Sequence, residues 1–177
     1  MNTISRRALL GATALVPLAL AGCAGQTAAQ VSAAIVADLT GALRGVVNTV
    51  PGIVKADPTL LSPALQAKVT SQATQGLGVL AAVQTSMAAT VAAPALAKAE
   101  ADLNAVLGAL AAVPLIPPPY SLIIAAAAVV APAIEGYISG VTGAAGAPPN
   151  AAAVRIVVHY APTMTTAQAK AILAAQK

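Results

Sequence analysis

The chain has 177 residues, of which 58% are hydrophobic and only 8% charged, with a formal net charge of +4. Phe and Trp are absent and Tyr occurs three times, so much of the apolar content is alanine, which buries little area per residue. The basic residues are scattered, with no run that would track a phosphate backbone, so nucleic-acid binding is not expected.

Arg6 and Arg7 precede an apolar segment from Ala8 to Leu20 that no charge interrupts; Ala21, Gly22 and the single cysteine, Cys23, follow. A basic start, an apolar middle and small residues at the end have the grammar of an export signal. The run is nearer signal-peptide length than the ~20 residues a spanning helix needs. Leu20-Ala21-Gly22-Cys23 resembles the lipobox of bacterial lipoproteins, in which signal peptidase II cuts before a cysteine already carrying diacylglycerol. The resemblance implies that residues 1–22 are removed, that Cys23 becomes the lipidated N-terminus, and that residues 23–30 form a tether. Its implied partners are the membrane, through lipidated Cys23, and an envelope protein. Ser5-Arg6-Arg7-Ala8-Leu9-Leu10 also resembles a twin-arginine export motif; Sec signals tolerate paired arginines too, so both routes stay open. An Asp after the cysteine would resemble an inner-membrane retention signal. Ala24 stands there instead, which implies the periplasmic face of an outer membrane. Loss of Arg6 and Arg7 lowers the formal charge from +4 to +2.

The mature part suffices for one domain with a core. A helical bundle is expected over 31–143. Val31, Ile35, Leu39, Leu43, Val46 and Val50 recur at spacings of four and three, on one helical face, with Arg44 and Asn48 opposite. Val50-Pro51-Gly52 is expected to end that helix, and Asp57-Pro58 to mark a turn. Ser62-Pro63 starts a second helix, with Val69, Ala73, Gly76, Leu80, Val83 and Met87 near a heptad seam. A break near Ala92-Ala93 precedes a third helix opened by Pro94, with Leu96, Leu103, Val106, Leu107 and Leu110 on its apolar face. Lys98 and Asp102 are four apart on it. Pro114 and Pro117-Pro118-Pro119 make a stiff connector.

Tyr120 to Ile134 is the most hydrophobic stretch of the mature chain. It is shorter than ~20 residues and contains Pro132, so it is expected to be the central helix of a bundle rather than a membrane span. Gly136-xxx-Gly140 and Gly41-xxx-Gly45 carry little weight in so alanine-rich a chain. Residues 144–177 read as linker, extended segment and short helix. Val154, Ile156, Val158 and Tyr160 alternate with Arg155, Val157 and His159, a β-like period of two. That segment is expected to strap across the helices, or to add to the sheet edge of a partner. Thr165-Thr166-Ala167-Gln168 fits a capping box, with Ala169, Ile172 and Leu173 inward and Lys170 and Lys177 outward. The expected class is all-α: an antiparallel four-helix bundle with a C-terminal extended strap and a short helix.

Converging reactive groups are scarce. His159 is the sole histidine, an acylated Cys23 offers no thiol, and the five carboxylates show no ligand spacing. Glu100 and Asp102, two apart on a helix, point in different directions and read as a solvated face. No catalytic residue, metal or cofactor is expected, and Arg155, His159 and Tyr160 are the candidates for binding a partner. The mature region resembles small alanine-rich lipoproteins of high-GC bacteria. The expected role is a lipid-anchored, non-enzymatic structural or binding module of the periplasm. A membrane-active protein inserting 103–113 and 122–134 as a hairpin, and a carrier of an apolar ligand, are the alternatives.

Overall fold

The computed structural model describes residues 28–86, 89–142 and 151–176, and among these the chain is all-helical, with no strand. Six helices follow in order: α1 (Ala28–Ala56), α2 (Pro63–Ser86), α3 (Ala89–Leu110), α4 (Tyr120–Thr142), α5 (Ala151–Tyr160) and α6 (Thr166–Ala174). The periodic residues of the first three are the ones buried. Ile35, Leu39, Leu43, Val46 and Val50 of α1 face inward, as do Val69, Ala73, Leu80 and Val83 of α2 and Leu96, Leu103, Val106, Leu107 and Leu110 of α3. Val31 and Met87 lie outside the residues whose side chains are described.

Contacts across helices fix their directions. A methyl group at Gly76 of α2 would meet Leu43 Cδ1 of α1 at 2.8 Å and Asp102 Cβ of α3 at 3.4 Å, so these three positions share a level. Leu43 and Gly76 are equally far from the turn between α1 and α2, so those two helices run antiparallel, and α3 runs back along α2. Gly52, near the end of α1, abuts the ring of Tyr120, the first residue of α4. α4 therefore starts beside the far end of α1 and points back toward its beginning.

α4 packs against α1, α3, α5 and α6. A helix covered on most sides has no use for a polar face, and Ile124 to Ala128, Val130, Ala131 and Ile134 are all buried. α4 continues past the apolar stretch Tyr120–Ile134 to Thr142. Tyr120–Ser139 is apolar and long enough to cross a membrane, as is Ala33–Ala56, so shortness does not argue against insertion. Just over half of the first window and half of the second are buried inside the fold.

Proline proved a weaker stop than expected. α1 passes Pro51 and Gly52 and continues to Ala56, α3 begins five residues before Pro94, and α4 runs through Pro132. Each interior proline removes one helical hydrogen bond and crowds the preceding turn, at ~3 kcal/mol or more. Tertiary burial offsets this: Ile53, Leu96 and Ile134, two residues beyond each proline, are buried, while the three prolines face outward. In the following turn Thr59 donates to Asp57 Oδ1 from its hydroxyl (2.6 Å) and its backbone N–H (2.9 Å), which holds the Asp57 carboxyl below its ordinary range.

The extended strap is corrected. Val154 to Tyr160 forms α5, with Ala153 and Ile156 buried and Val154 and Val158 exposed. The alternation of apolar residues is real, but the helical faces of α3 and α4 reward a helix that sets Ala153, Ile156 and Val157 against them, and among the described residues no strand is present for an extended segment to join. At α6 the capping box forms as expected: Gln168 N–H donates to Thr165 Oγ1 (3.3 Å) and Thr165 N–H to Gln168 Oε1 (2.9 Å). Leu173 and Ala169 are buried and Ile172 half-buried, while Lys170 reaches Asp38 of α1 at 2.7 Å. The Gly41-xxx-Gly45 pair also matters more than its statistics implied. Gly41 lies under Leu173 and Gly45 under Ile123, where an added methyl would sit 3.3 and 2.9 Å away. At Gly136, by contrast, nothing approaches.

Candidate functional site

Arg6, Arg7, Leu20, Ala21, Gly22 and Cys23 lie outside the described residues. α1 begins five residues after Cys23. Five peptide steps span at most about 18 Å however they are arranged, so an acylated Cys23 would keep the start of α1 close to a bilayer.

The candidate partner-binding residues all fall on α5, and the helix divides them. Arg155 and His159, four apart, share the outer face with exposed Val158. Tyr160 turns inward: its hydroxyl accepts a hydrogen bond from the Ile116 N–H at 2.9 Å, tying α5 to the proline-rich connector before α4. The His159 and Tyr160 rings meet edge to face, with centroids 4.5 Å apart. An extended segment would have put Tyr160 on the face opposite His159. The helix instead leaves the imidazole and guanidinium to solvent and gives the phenol a structural partner.

Glu100 and Asp102 point in different directions, as expected, but the solvated face is corrected: both are half-buried, because α3 packs against α2 and α4. Asp102 faces Lys98 at 3.5 Å, within α3. Glu100 accepts from Asn104 Nδ2 on the α4 side, where the Asn104 carbonyl oxygen is buried without a partner. Burial foremost, and then the charge of Glu135 on α4, raise the Glu100 carboxyl above its ordinary value, against the lowering effect of Asn104. The Glu100–Glu135 juxtaposition was missed in the sequence, and only the antiparallel pairing of α3 with α4 would have suggested it. Because the folded chain holds this proton more tightly than the unfolded one, the stability it supplies is complete below pH 4.5 and disappears as pH rises through the raised folded value. Glu100→Gln keeps an acceptor for Asn104 and should therefore melt higher than the parent at pH 7. The two should converge below pH 4.5, as followed by thermal denaturation across pH.

Among the described residues no three of His, Cys, Asp and Glu cluster to hold a metal ion. A groove of about 660 Å³ runs between the end of α1 and the start of α2, lined by Val50, Pro51, Val54, Lys55, Gln66 and Thr70 among others. It opens broadly to solvent, unlike the enclosed cavity that would sequester an apolar ligand. Comparison of the chain with protein-family models, with characterised proteins and with solved structures found no match.

Proposed function

We propose that the protein is a lipid-anchored envelope lipoprotein whose α1–α4 form an antiparallel four-helix bundle, acting as a non-enzymatic structural or binding module at the periplasmic face of the outer membrane. The observation that carries this reading is Leu20-Ala21-Gly22-Cys23 at the end of an apolar run that Arg6 and Arg7 introduce. One acyl chain holds a protein only marginally, whereas the two or three of a processed lipoprotein bury enough methylenes, at ~0.8 kcal/mol each, for stable attachment. The outer face of α5, with Arg155, Val158 and His159, is the surface offered to an envelope partner. The test is Cys23→Ala beside the parent, with cell fractionation and the mass of the mature N-terminus. The parent should carry a lipid mass at Cys23 and stay with membranes, and the variant should become soluble and remain helical.

A second reading has one observation in its favour: α1 and α4 each contain a stretch apolar and long enough to span a bilayer. A Cys23→Ala protein that stays in the membrane fraction would put this membrane-active reading first.

A further inference from the structure

The chain's few charges are unevenly placed. No charged residue occurs from Ala24 to Ala37, from Val69 to Ala97, or from Gly136 to Val154. The helix directions bring parts of all three stretches to one end of the fold. The start of α1, the end of α2, the start of α3 and the end of α4 lie there. The first charge met from that end is Asp38 on α1, ten residues in; Lys98 on α3, nine in; and Glu135 on α4, seven from its terminus. On α2 it is Lys68, eighteen residues from the end. At 1.5 Å per residue this makes an uncharged cap ~10–15 Å deep. Its exposed side chains include Ala33, Ala34, Ala81, Gln84 and Pro94.

We propose that this uncharged end is a membrane-seating surface that rests in the interfacial layer of the bilayer holding the acyl chains of Cys23. The inference rests on the lipid anchor. Approach to lipid strips water from a surface, which is costly for charged groups and cheap for alanine, glycine and proline. Interfacial elements settle ~5–10 Å into the headgroup and acyl boundary, a depth the cap accommodates before Asp38, Lys98 or Glu135 is reached. Exposed apolar residues alone do not select this end, because Leu115 and Leu122 are exposed at the other. The tether selects it: Ala28 lies within about 18 Å of Cys23, whereas α1 carries the opposite end ~40 Å further along its axis. The protein would stand on its uncharged end, with Glu135, Lys98 and the Asp38–Lys170 pair as the first charged layer above the lipid and the Leu115 end projecting into the periplasm.

The chain contains no Trp, so a single introduced Trp reports alone. Ala34→Trp, Ala81→Trp and Leu115→Trp, all at exposed positions, are each made in the full chain, purified after export and reconstituted into vesicles of phosphatidylcholine with or without bromine on the acyl chains. The mature N-terminus is weighed in the same samples. Brominated lipid should remove about half or more of the emission at positions 34 and 81, as for residues at interfacial depth, and leave position 115 unaffected. Ala81→Glu added to the Ala34→Trp chain should restore most of the lost emission while the circular dichroism stays helical. A lipid mass at Cys23 with three equally unquenched tryptophans overturns the seating and leaves the anchor standing. Quenching at position 115 alone overturns the orientation. Quenching at 34 and 81 without a lipid mass keeps the seating and removes the anchor; neither lipid nor quenching removes both.

Discussion

Leu43→Ala should lower the unfolding free energy by about 2–5 kcal/mol, a large part of the ~5–15 kcal/mol typical of a folded domain. Leu43 is fully buried, and its Cδ1 fills the hollow above Gly76, where Asp102 of α3 closes the other side. The same geometry predicts a change of sign in a double-mutant cycle. Gly76→Ala alone places a methyl 2.8 Å from Leu43 Cδ1. That overpacking should cost about 1–3 kcal/mol, only partly offset by the ~1 kcal/mol that alanine gains over glycine in a helix. In the Leu43→Ala background the obstacle is gone, so Gly76→Ala should then stabilise, by up to about 1 kcal/mol. Urea unfolding of the four proteins measures the cycle. Additive effects would mean that α1 and α2 do not meet through these two residues.

Ala127→Leu should destabilise by about 1–3 kcal/mol or more, in contrast to most alanine-to-leucine changes on a helix. Ala125 to Ala128 are four consecutive buried residues, a full turn of α4 enclosed by its neighbours. Small side chains there let the surrounding helices come close, and a leucine must push one of them away. Ala133→Leu, on the exposed side of the same helix, should stay within about 0.5 kcal/mol of the parent and serves as the control. Thermal unfolding of both variants decides it. Equal melting temperatures would show that α4 is not the enclosed helix.

The apolar faces of α1, α2 and α3 were legible because their residues keep a helical period over many turns, and burial follows that period at the positions whose side chains are described. The cap at Thr165 was legible because its chemistry is local. What could not be read was any feature that long-range packing decides. Pro51, Pro94 and Pro132 signal helix ends when only neighbours are considered, yet buried Ile53, Leu96 and Ile134 carry the helices through them. Val154 to Tyr160 has the alternation of a strand, but the contacts that fix its conformation come from α3 and α4, outside the segment itself. The same holds for the candidate site. Arg155 and His159 emerge on the exposed face of α5, whereas Tyr160, expected beside them, is committed to Ile116, 44 positions earlier. Glu135 became relevant to Glu100 only when α3 and α4 were laid side by side.

The pairing of α6 with α1 has a mechanical consequence. Lys170 meets Asp38, Leu173 covers Gly41, and both Leu173 and Gln176 reach Gly45, so the two helices advance in the same direction. A load drawn between the start of α1 and the end of α6 would pull these parallel helices past each other along their length. In that geometry the ion pair and the two glycine contacts are strained together and must yield together, whereas an antiparallel pair would open one contact at a time. The contacts between α6 and α1 are thus arranged as a shear joint for any pull along the helix axes.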